Sequence, residues 1–409
     1  MDHKRRTLVR QGSALALAFT LPGAALRAWA QGSEPLRIGA LNPVTGAGSP
    51  YGSGMQKAIL LAAEEVNAAG GVAGRKVEVF AEDTQTAPEA GVLAAKKLIE
   101  VNKVHAIVGT WSSGVAAAVM PISDAAGVLH ATNAGASNVT SGKGLMFRYS
   151  ALSVKVGEAL GRQIGRRGHT RLATMAFNNP SGREITGGAK AGWEKLGRQL
   201  VAEVVYEPNR PSYRSEVQRV LAANPDAIVL GGYLPDFTTI LREARQAGSS
   251  VRFYVPAWAV NQTLIQALGA AAVEGTITHD YVAALDGEGF KAFVAKFRKA
   301  VNIDPTENYY ACCAYDMMVT VALAAEAAAA ARGALSGAIR QVANPPGTPV
   351  YDVAVGLKAL REGRKINYEG ASGPIDFDAI GNVKPLFKLS EVRNGKIEFL
   401  GNAFEDYGA

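Results

Sequence analysis

Cysteine and histidine are scarce in this chain, which limits the chemistry that it supports. Its 409 residues include two cysteines and five histidines. Cys312 and Cys313 are adjacent, and adjacent cysteines rarely form a disulfide without straining the backbone. Because they lie in an alanine-rich stretch with a helical pattern, we interpret them as small core residues. The scattered histidines offer no ligand spacing typical of a metal site, and we expect neither a metal nor a cofactor.

The motifs that mark common catalytic sites are absent as well. The sequence contains no G-x-S-x-G, H-E-x-x-H, Walker or G-x-G-x-x-G pattern. His105 begins a predicted strand and His130 ends another, which are positions more typical of structural histidines than of a catalytic base. The sequence therefore favours a protein that is not an enzyme. An exported hydrolase stays a competing hypothesis, and it would need a nucleophile with a base in reach.

Positive charge is concentrated in the first 30 residues, which have the pattern of an export signal. Basic residues precede an apolar run at 14–26, and Ala28-Trp29-Ala30 is a small-x-small cleavage site. The basic residues of this leader are Lys4, Arg5, Arg6, Arg10 and Arg27. The Arg5-Arg6 pair fits both a twin-arginine signal and an ordinary secretory signal, so both routes stay open. We expect a signal peptide over residues 1–30, with cleavage near Ala30.

Without this leader, the charge excess nearly disappears. The chain carries a formal charge of +7, and the leader contributes +4 of it, which leaves +3 on about 379 residues. This small excess gives no support for a nucleic-acid partner. No cysteine follows the cleavage site to accept a lipid, and no later uninterrupted apolar run approaches the roughly 18 residues that cross a bilayer. We expect a soluble monomer that is not membrane-anchored and is large enough for two lobes.

Short apolar strands alternate with amphipathic helices, which is the pattern of parallel sheets. One series of strands is predicted between Leu36 and Ala131, and a second between Leu172 and Val255. Helices predicted at 288–301 and 308–332 are best explained as packing on the first lobe, and Asn394-Gly395 indicates a terminal hairpin. The sequence predicts an α/β fold with two doubly wound parallel-sheet lobes joined by three hinge crossovers. The predicted segments are 33–149 plus 281–385 for lobe 1 and 150–280 plus 386–409 for lobe 2, with crossings near 150, 280 and 385.

Features suited to binding follow the predicted strands at their carboxyl ends, where ligands of open α/β sheets bind. Ser112 and Ser113 lead into a helix whose first N–H groups have no intrahelical partner and favour an anion. Either serine could instead simply cap that helix. The small-residue turn 132–137 lets backbone amides approach a solute, and Tyr233 lies on a strand-to-helix turn where it could stack on one.

Five segments together resemble the periplasmic solute-binding proteins of the branched-chain amino-acid type. They are LRIGALNPVTGAGSPYG, EEVNAAGGVAGRKVEV, VHAIVGTWSSGVAAAVMP, GGYLPDFTTILREARQAG and ENYYACCAYD. The resemblance covers essentially the whole mature chain. It implies a type I periplasmic binding fold that closes like a Venus flytrap on a small-molecule solute, and a periplasmic receptor that delivers this solute to an inner-membrane ABC permease. A periplasmic sensor that docks on a membrane kinase is the alternative, because it would use the same pocket.

The resemblance also assigns pocket residues by position. Ser113 matches the serine that binds the solute carboxylate, Tyr51 an aromatic residue that covers the solute, and Tyr233 the tyrosine of the second lobe. The predicted ligand-binding residues are Tyr51, Trp111, Ser112, Ser113, Ala134, Gly135, Ala136, Ser181, Tyr233, Trp258 and Tyr310.

Three of these positions depart from the pattern of the amino-acid binders. Ala136 lacks the usual hydroxyl, Ser181 stands where a tyrosine is common, and Ala257 stands where a glutamate is expected. A buried ammonium without a carboxylate partner costs several kcal/mol, so Ala257 argues against an ordinary aliphatic α-amino acid. That argument fails if one of two aspartates, Asp236 or Asp280, reaches the pocket.

The aromatic residues widen the choice of solute. Trp111 and Trp258 could line a broader aromatic cavity, which favours an organic acid, including an aromatic one, or an amide. A small amino acid remains the third option.

Overall fold

The computed structural model describes residues 34–301, 304–305, 308–384 and 386–402. For residues 401 and 402 it describes the backbone alone. The predicted export signal and its cleavage near Ala30 lie outside the described residues. Two large sheets organise the chain, one of five strands and one of seven. We call the part built on the five-stranded sheet lobe 1 and the part built on the seven-stranded sheet lobe 2.

The sheet of lobe 1 is entirely parallel, in the order β2-β1-β3-β4-β5. Its central strands are short apolar runs buried on both faces, as expected where helices cover a parallel sheet. The strands are β1 (Leu36–Asn42), β2 (Val77–Asp83), β3 (Ala106–Gly109), β4 (Leu129–Thr132) and β5 (Met146–Arg148). The helices between them are α1 (Ser49–Ala68), α2 (Pro88–Lys96, followed by a π-helical turn at Lys97–Val101) and α3 (Ser113–Ala126).

The later part of the chain returns to lobe 1, as the helical stretches predicted. It adds α10 (Glu288–Val301), α11 (Tyr309–Ala331), α12 (Leu335–Ala343) and α13 (Val353–Arg361), with a two-stranded parallel sheet of β11 (Thr348–Val350) and β12 (Ile366–Tyr368). The Pro-rich composition of 344–349 predicts an exposed loop. Its last two residues instead belong to β11, because Thr348 and Pro349 pair with Ile366 and Asn367.

Helix α11 forms the centre of the lobe 1 core. Cys312 and Cys313 are free and fully buried in it, as predicted for small core residues. Among the described helices, it is the one that is long and apolar enough to cross a membrane, although the sequence shows no uninterrupted apolar run of that length. Its most apolar window is 94% buried inside the protein, as is typical of a core helix.

Lobe 2 is built on a mixed sheet in the order β14-β13-β10-β9-β8-β6-β7. Its parallel strands are β6 (Leu172–Phe177), β7 (Ala202–Tyr206), β8 (Ala227–Gly231), β9 (Arg252–Pro256) and β10 (Ile277–Val282). Its helices are α4 (Ser153–Arg166), α5 (Pro180–Glu194), α6 (Arg214–Ala222), α7 (Leu234–Gln246), α8 (Gln262–Leu268) and α9 (Ala270–Val273).

The terminal hairpin completes this sheet. Strands β13 (Leu386–Arg393) and β14 (Lys396–Asn402) are antiparallel, and β13 pairs with β10. The connecting residues Asn394 and Gly395 have φ values of 49° and 73°, which is the turn geometry that the Asn-Gly pair predicts.

The described chain passes between the sheets three times. It leaves lobe 1 after β5 and returns after β10. It leaves again between Asn382, which bridges to Arg148 of β5, and Leu386, which pairs with Val282 of β10. These passages lie close to the predicted crossings, and the predicted lobe boundaries stay our proposal.

Candidate functional site

Most of the predicted binding residues lie where strands end at the facing edges of the two sheets. In lobe 1, β3 ends at Gly109, Thr110 follows with a φ of 59°, and Trp111 and Ser112 precede α3. In lobe 2, β8 ends at Gly231, and Tyr233 immediately precedes α7. Trp258 lies on a 3₁₀ turn directly after β9. Parallel strands of one sheet end at the same edge, so each sheet presents its turns to the other lobe.

Aromatic side chains from both lobes meet in this cleft. The ring of Trp111 lies 5.4 Å from that of Tyr233, 6.0 Å from that of Trp258, 5.7 Å from that of Tyr51 and 5.8 Å from that of Tyr310, measured between centroids. Two of these pairs join lobe 1 to lobe 2. The indole N–H of Trp258 donates to the Gly232 carbonyl at 3.1 Å, which fixes the ring against its own lobe. Such ring pairs stabilise by about 0.5–1.5 kcal/mol each beyond their buried area.

Hydrogen bonds also cross the cleft. The Tyr233 hydroxyl donates to Ser112 Oγ at 3.3 Å. Glu184 of α5 accepts the Ser137 N–H at 2.9 Å and the Ser137 hydroxyl at 2.6 Å. Since these pairs connect residues of different lobes, the structure represents the cleft in a closed arrangement.

The closed cleft forms a small cavity between the lobes that stays partly open to solvent. Its walls combine aromatic rings with hydroxyl and amide groups, and none of the residues that line it carries a formal charge. The lining residues are Trp111, Ser113, Asn133, Gly135, Ser153, Ser181, Tyr233, Trp258, Tyr281 and Tyr310. Burial raises the pKa of Tyr233 and Tyr310, so both phenols stay neutral.

Hydrogen-bond donors converge on the lobe 1 side of this cavity. Ser113 Oγ accepts the Ala136 N–H at 3.1 Å, which leaves the Ser113 hydroxyl proton available to a second acceptor. Ser112 makes no side-chain cap bond to α3, so capping does not occupy it. The first intrahelical bond of α3 is donated by Ala116, and the amides of the preceding turn are therefore free to favour an anion.

The turn after β4 positions these donors. The N–H groups of Ala134 and Ala136 are bonded to Thr132 Oγ1 and Ser113 Oγ, and both residues are fully buried outside the cavity lining. They hold the turn and Ser113 in place. Gly135, between them, lines the cavity, and a side chain at this position would lie 2.6 Å from Ser153 Oγ.

Two further predicted residues lie behind the lining. Tyr51 stacks on the lining residue Trp111, and Ser112 accepts a hydrogen bond from the hydroxyl of the lining residue Tyr233. Thus seven of the predicted residues line the cavity, which are Trp111, Ser113, Gly135, Ser181, Tyr233, Trp258 and Tyr310. Tyr51, Ser112, Ala134 and Ala136 surround it, and the binding role of all eleven stays a prediction.

The two aspartates considered as ammonium partners have different positions. Asp236 is buried in lobe 2, where it accepts the Tyr213 hydroxyl and the Asn209 N–H, so its carboxylate already has partners away from the cavity. Asp280 directly precedes the lining residue Tyr281 on β10. Burial raises the pKa of Tyr51 and Tyr310, and the nearby charge of Asp280 raises both further. Burial raises the pKa of Asp280 itself to about 6, against the charge of its cross-strand neighbour Lys388.

Sequence reasoning missed three cavity residues, Asn133, Ser153 and Tyr281. Asn133 directly follows β4, and Tyr281 lies near the carboxyl end of β10, so the strand-end rule was a usable signal for both. Ser153 begins α4 after the first crossing, and only the pairing of the lobes brings it to Gly135. Among the described residues, no group of three or more His, Cys, Asp and Glu side chains could hold a metal ion.

Two lobes of parallel-rich α/β structure, joined by three passages and closed over a cavity at their strand ends, define the class of type I solute-binding proteins. The chain belongs to the periplasmic binding protein family, whose sequence profile matches residues 35–383. Within that family it is of the branched-chain amino-acid type, as the resemblance predicted. The predicted fold class is thereby confirmed, and the family implies a periplasmic location.

Several known proteins are similar to this chain. The leucine-, isoleucine-, valine-, threonine- and alanine-binding protein of Pseudomonas aeruginosa is 28% identical, over 77% of this chain and 84% of its own length. The Leu/Ile/Val-binding protein homolog 1 of Brucella suis is 26% identical, over 97% of this chain and 99% of its own length.

Solved structures share the fold. A leucine-binding protein of Thermotoga maritima aligns with a TM-score of 0.75 and 24% identity, over 90% of this chain and 98% of its own. A solute-binding protein of R. palustris, solved in complex with benzoate, aligns with a TM-score of 0.72 and 22% identity, over 90% of this chain and 96% of its own.

Proposed function

We propose that this protein is the periplasmic receptor of an ABC importer and that it binds an aromatic carboxylate between its lobes. The observation that carries the proposal is the cavity itself. It combines five aromatic side chains from both lobes with hydroxyl and amide groups, and no lining residue is acidic or basic.

The donor side suits a carboxylate. The Ser113 hydroxyl and the amides that open α3 point to the same edge, and a carboxylate accepts from such donors without needing a cation. A desolvated charge-assisted hydrogen bond contributes about 1.5–3 kcal/mol, so two or three suffice to hold the anion.

The aromatic walls suit a planar ring. Trp111, Tyr233, Trp258, Tyr281 and Tyr310 surround the cavity with ring faces and edges, and rings pack on rings at the centroid spacings found among these residues. The R. palustris neighbour was solved with benzoate, but at 22% identity it supports the fold alone. The support for an aromatic carboxylate therefore comes from the lining of this chain's own cavity.

An aliphatic α-amino acid is the second candidate, and Asp280 is the observation that favours it. Asp280 directly precedes the lining residue Tyr281, and its charge adds to the effect of burial in raising the pKa of Tyr51 and Tyr310, so its carboxyl group could approach an ammonium from behind the wall. Curated relatives such as the P. aeruginosa protein are named as amino-acid binders. Against this candidate, Asp280 is not among the lining residues, and Ala257 supplies no carboxylate.

Isothermal titration of benzoate and of leucine into the purified protein separates these candidates. We expect benzoate to bind and leucine to bind at least about a hundredfold more weakly, because an unpaired buried ammonium costs several kcal/mol. Ser113→Ala should weaken benzoate binding more than tenfold, whereas Ser123→Ala, a buried serine of the same helix outside the cavity, should not. Submicromolar leucine binding that Asp280→Asn abolishes would replace the first candidate by the second.

The partners belong to the same proposal. We propose an inner-membrane ABC permease as the partner, a monomeric receptor, and export by a Sec or twin-arginine signal. Solute contacts from both lobes form in the closed state, so the permease would distinguish loaded from empty receptor by a shifted open–closed equilibrium. A membrane kinase is the competing partner. Reconstituted permease in proteoliposomes should import the solute only when this protein is added, and failure of that import with stimulation of a kinase would favour the sensor.

A further inference from the structure

We propose that Asn133 contacts the solute and selects aromatic carboxylates that carry a hydroxyl or carboxamide group. This inference rests on the proposed function and deepens it, because it adds a specificity residue and a second polar group on the solute.

The side chain of Asn133 is buried, and the part of the chain that the structure describes offers it no hydrogen-bond partner. The residue is 3% exposed and lines the cavity beside Gly135. Neither its Oδ1 nor its Nδ2 has a hydrogen-bond partner among the described residues, although both atoms are buried. Buried amides in proteins are almost always paired, so a group that is unpaired on both ends at a binding cavity points to a ligand.

The backbone of Asn133 is held on both sides. Its N–H donates to the Thr110 carbonyl at 3.3 Å, and its carbonyl accepts the Ser150 hydroxyl at 2.7 Å. The side chain therefore projects from a fixed point of the turn after β4. Preorganised polar groups of this kind discriminate strongly, since a solute that fails to pair them leaves them desolvated.

The chemistry of the amide decides what it selects. Nδ2 donates and Oδ1 accepts, so full pairing requires a solute group that does both. A carboxylate only accepts, and it would leave Oδ1 unpaired. A hydroxyl or a carboxamide satisfies both ends, and the assignment of the two amide atoms does not affect this argument because both are unpaired.

The chain contains a matched control in Asn42. Its Oδ1 and Nδ2 are also buried without a partner in the described ranges, and it also lies at a strand end of lobe 1. It does not line the cavity. A change of Asn42 therefore tests what loss of a buried unpaired amide does to the fold, apart from any contact with the solute.

The experiment measures calorimetric dissociation constants of wild type, Asn133→Leu and Asn42→Leu for benzoate, the 2-, 3- and 4-hydroxybenzoates and 4-carbamoylbenzoate. In these variants, the leucine side chain nearly matches that of asparagine in shape but lacks both polar atoms. We expect wild type to bind at least one substituted acid more than tenfold tighter than benzoate. We expect Asn133→Leu to reduce this preference to less than threefold and Asn42→Leu to keep it.

The remaining outcomes each contradict a definite claim. A wild-type protein that binds benzoate and all substituted acids equally, or an Asn133→Leu protein that keeps the preference, overturns the role of Asn133 and leaves the proposed function standing. A wild-type protein that binds none of the aromatic acids overturns the proposed function. Thermal unfolding checks that each variant folds. If Asn133→Leu does not fold, Asn133→Ala is tested in its place.

Discussion

At the scale of single residues, the cleft presents neutral polar and aromatic groups that are held in place by hydrogen bonds within the protein. Ser113 is positioned by the Ala136 amide, Trp258 by the Gly232 carbonyl, and Tyr233 by Ser112 across the cleft. A carboxylate solute would be held by dipoles and hydroxyl groups rather than by an ion pair. Binding should therefore depend weakly on ionic strength, since salt screens interactions between full charges most strongly.

Tyr233 contributes a ring and a hydroxyl, and two substitutions separate them. Tyr233→Phe keeps the ring and removes the bond to Ser112, so we expect a two- to tenfold loss of solute affinity, which corresponds to about 0.4–1.4 kcal/mol. Tyr233→Ala also removes the ring that contacts Trp111 at 5.4 Å, and we expect a loss of more than tenfold. Titration calorimetry with benzoate measures both. Equal losses in the two variants would show that the ring contributes nothing.

His130 makes stability depend on pH in a defined direction. Complete burial lowers its pKa to about 3, while its Nε2 lies 2.8 Å from Thr110 Oγ1. The folded-state pKa is below the unfolded value of about 6.5, so the contribution of His130 to stability is full above pH 6.5 and falls as the pH drops toward 3.

The measurement compares wild type with His130→Gln in urea at pH 7.5 and pH 5. We expect the stability advantage of wild type over the variant to shrink by about 2 kcal/mol over this interval, since each pH unit below 6.5 costs about 1.4 kcal/mol. Taking the difference cancels the opposite contribution of Asp280, whose raised pKa of about 6 favours the folded state at low pH. Parallel pH profiles of the two proteins would contradict the buried neutral histidine.

At the scale of secondary-structure elements, the packing of α4 on α5 is unusually close. Gly157 and Gly161 of α4 face Gly188 and Gly192 of α5, and a Cβ atom at any of them would lie 2.0–2.2 Å from a backbone carbonyl of the other helix. On each helix the two glycines are four residues apart, so they share one face. This spacing is visible in the sequence, and it explains why glycine is tolerated in two helix interiors despite its cost.

Gly161→Ala tests this contact. The added methyl group would lie 2.1 Å from the Ala189 carbonyl oxygen, so the helices must separate, and we expect a loss of about 2–3 kcal/mol in the free energy of unfolding. Gly187→Ala on α5 is the matched control, because nothing lies within 4 Å of its Cβ position. It should stabilise the protein by about 0.5–1 kcal/mol. Urea unfolding gives both values, and a neutral Gly161→Ala would mean that the interface adapts.

At the scale of the whole molecule, closure of the lobes joins surfaces that are distant in the sequence. The contact of Glu184 with Ser137 connects α5 of lobe 2 to the turn after β4 of lobe 1, and it includes no cavity-lining residue. It stabilises the closed arrangement without touching the solute. If the open state dominates without solute, losing this contact lowers the apparent affinity by the same factor as the closing equilibrium.

Glu184→Ala should therefore weaken solute binding by about three- to tenfold, because a partly exposed charge-assisted pair contributes only about 1 kcal/mol. Glu194→Ala, an exposed glutamate at the end of the same helix, is the control and should bind as wild type does. Calorimetry measures the affinities, and small-angle scattering at saturating solute should show that both variants still close. An unchanged affinity for Glu184→Ala would exclude this contact from the closing equilibrium.

The sequence by itself determined the order of strands and helices, the terminal hairpin and the strand-end positions of Trp111, Ser113 and Tyr233. These features depend on local periodicity and on turn residues, which act within a few positions of the chain. The family pattern added Trp258 and Tyr310 as binding candidates, and the structure places both at the cavity.

Only the tertiary structure decided which polar groups face the cleft. It placed Asp236 in a separate hydrogen-bond network and Asp280 next to the lining residue Tyr281. It also paired the Ala134 and Ala136 amides within the protein. Among the described residues, it left the Asn133 side chain without a partner at the cavity. Each of these outcomes depends on which strands become neighbours and how the two lobes meet. Hydrogen bonds extend over about 3 Å in space, regardless of separation along the chain, so no local pattern contains that information.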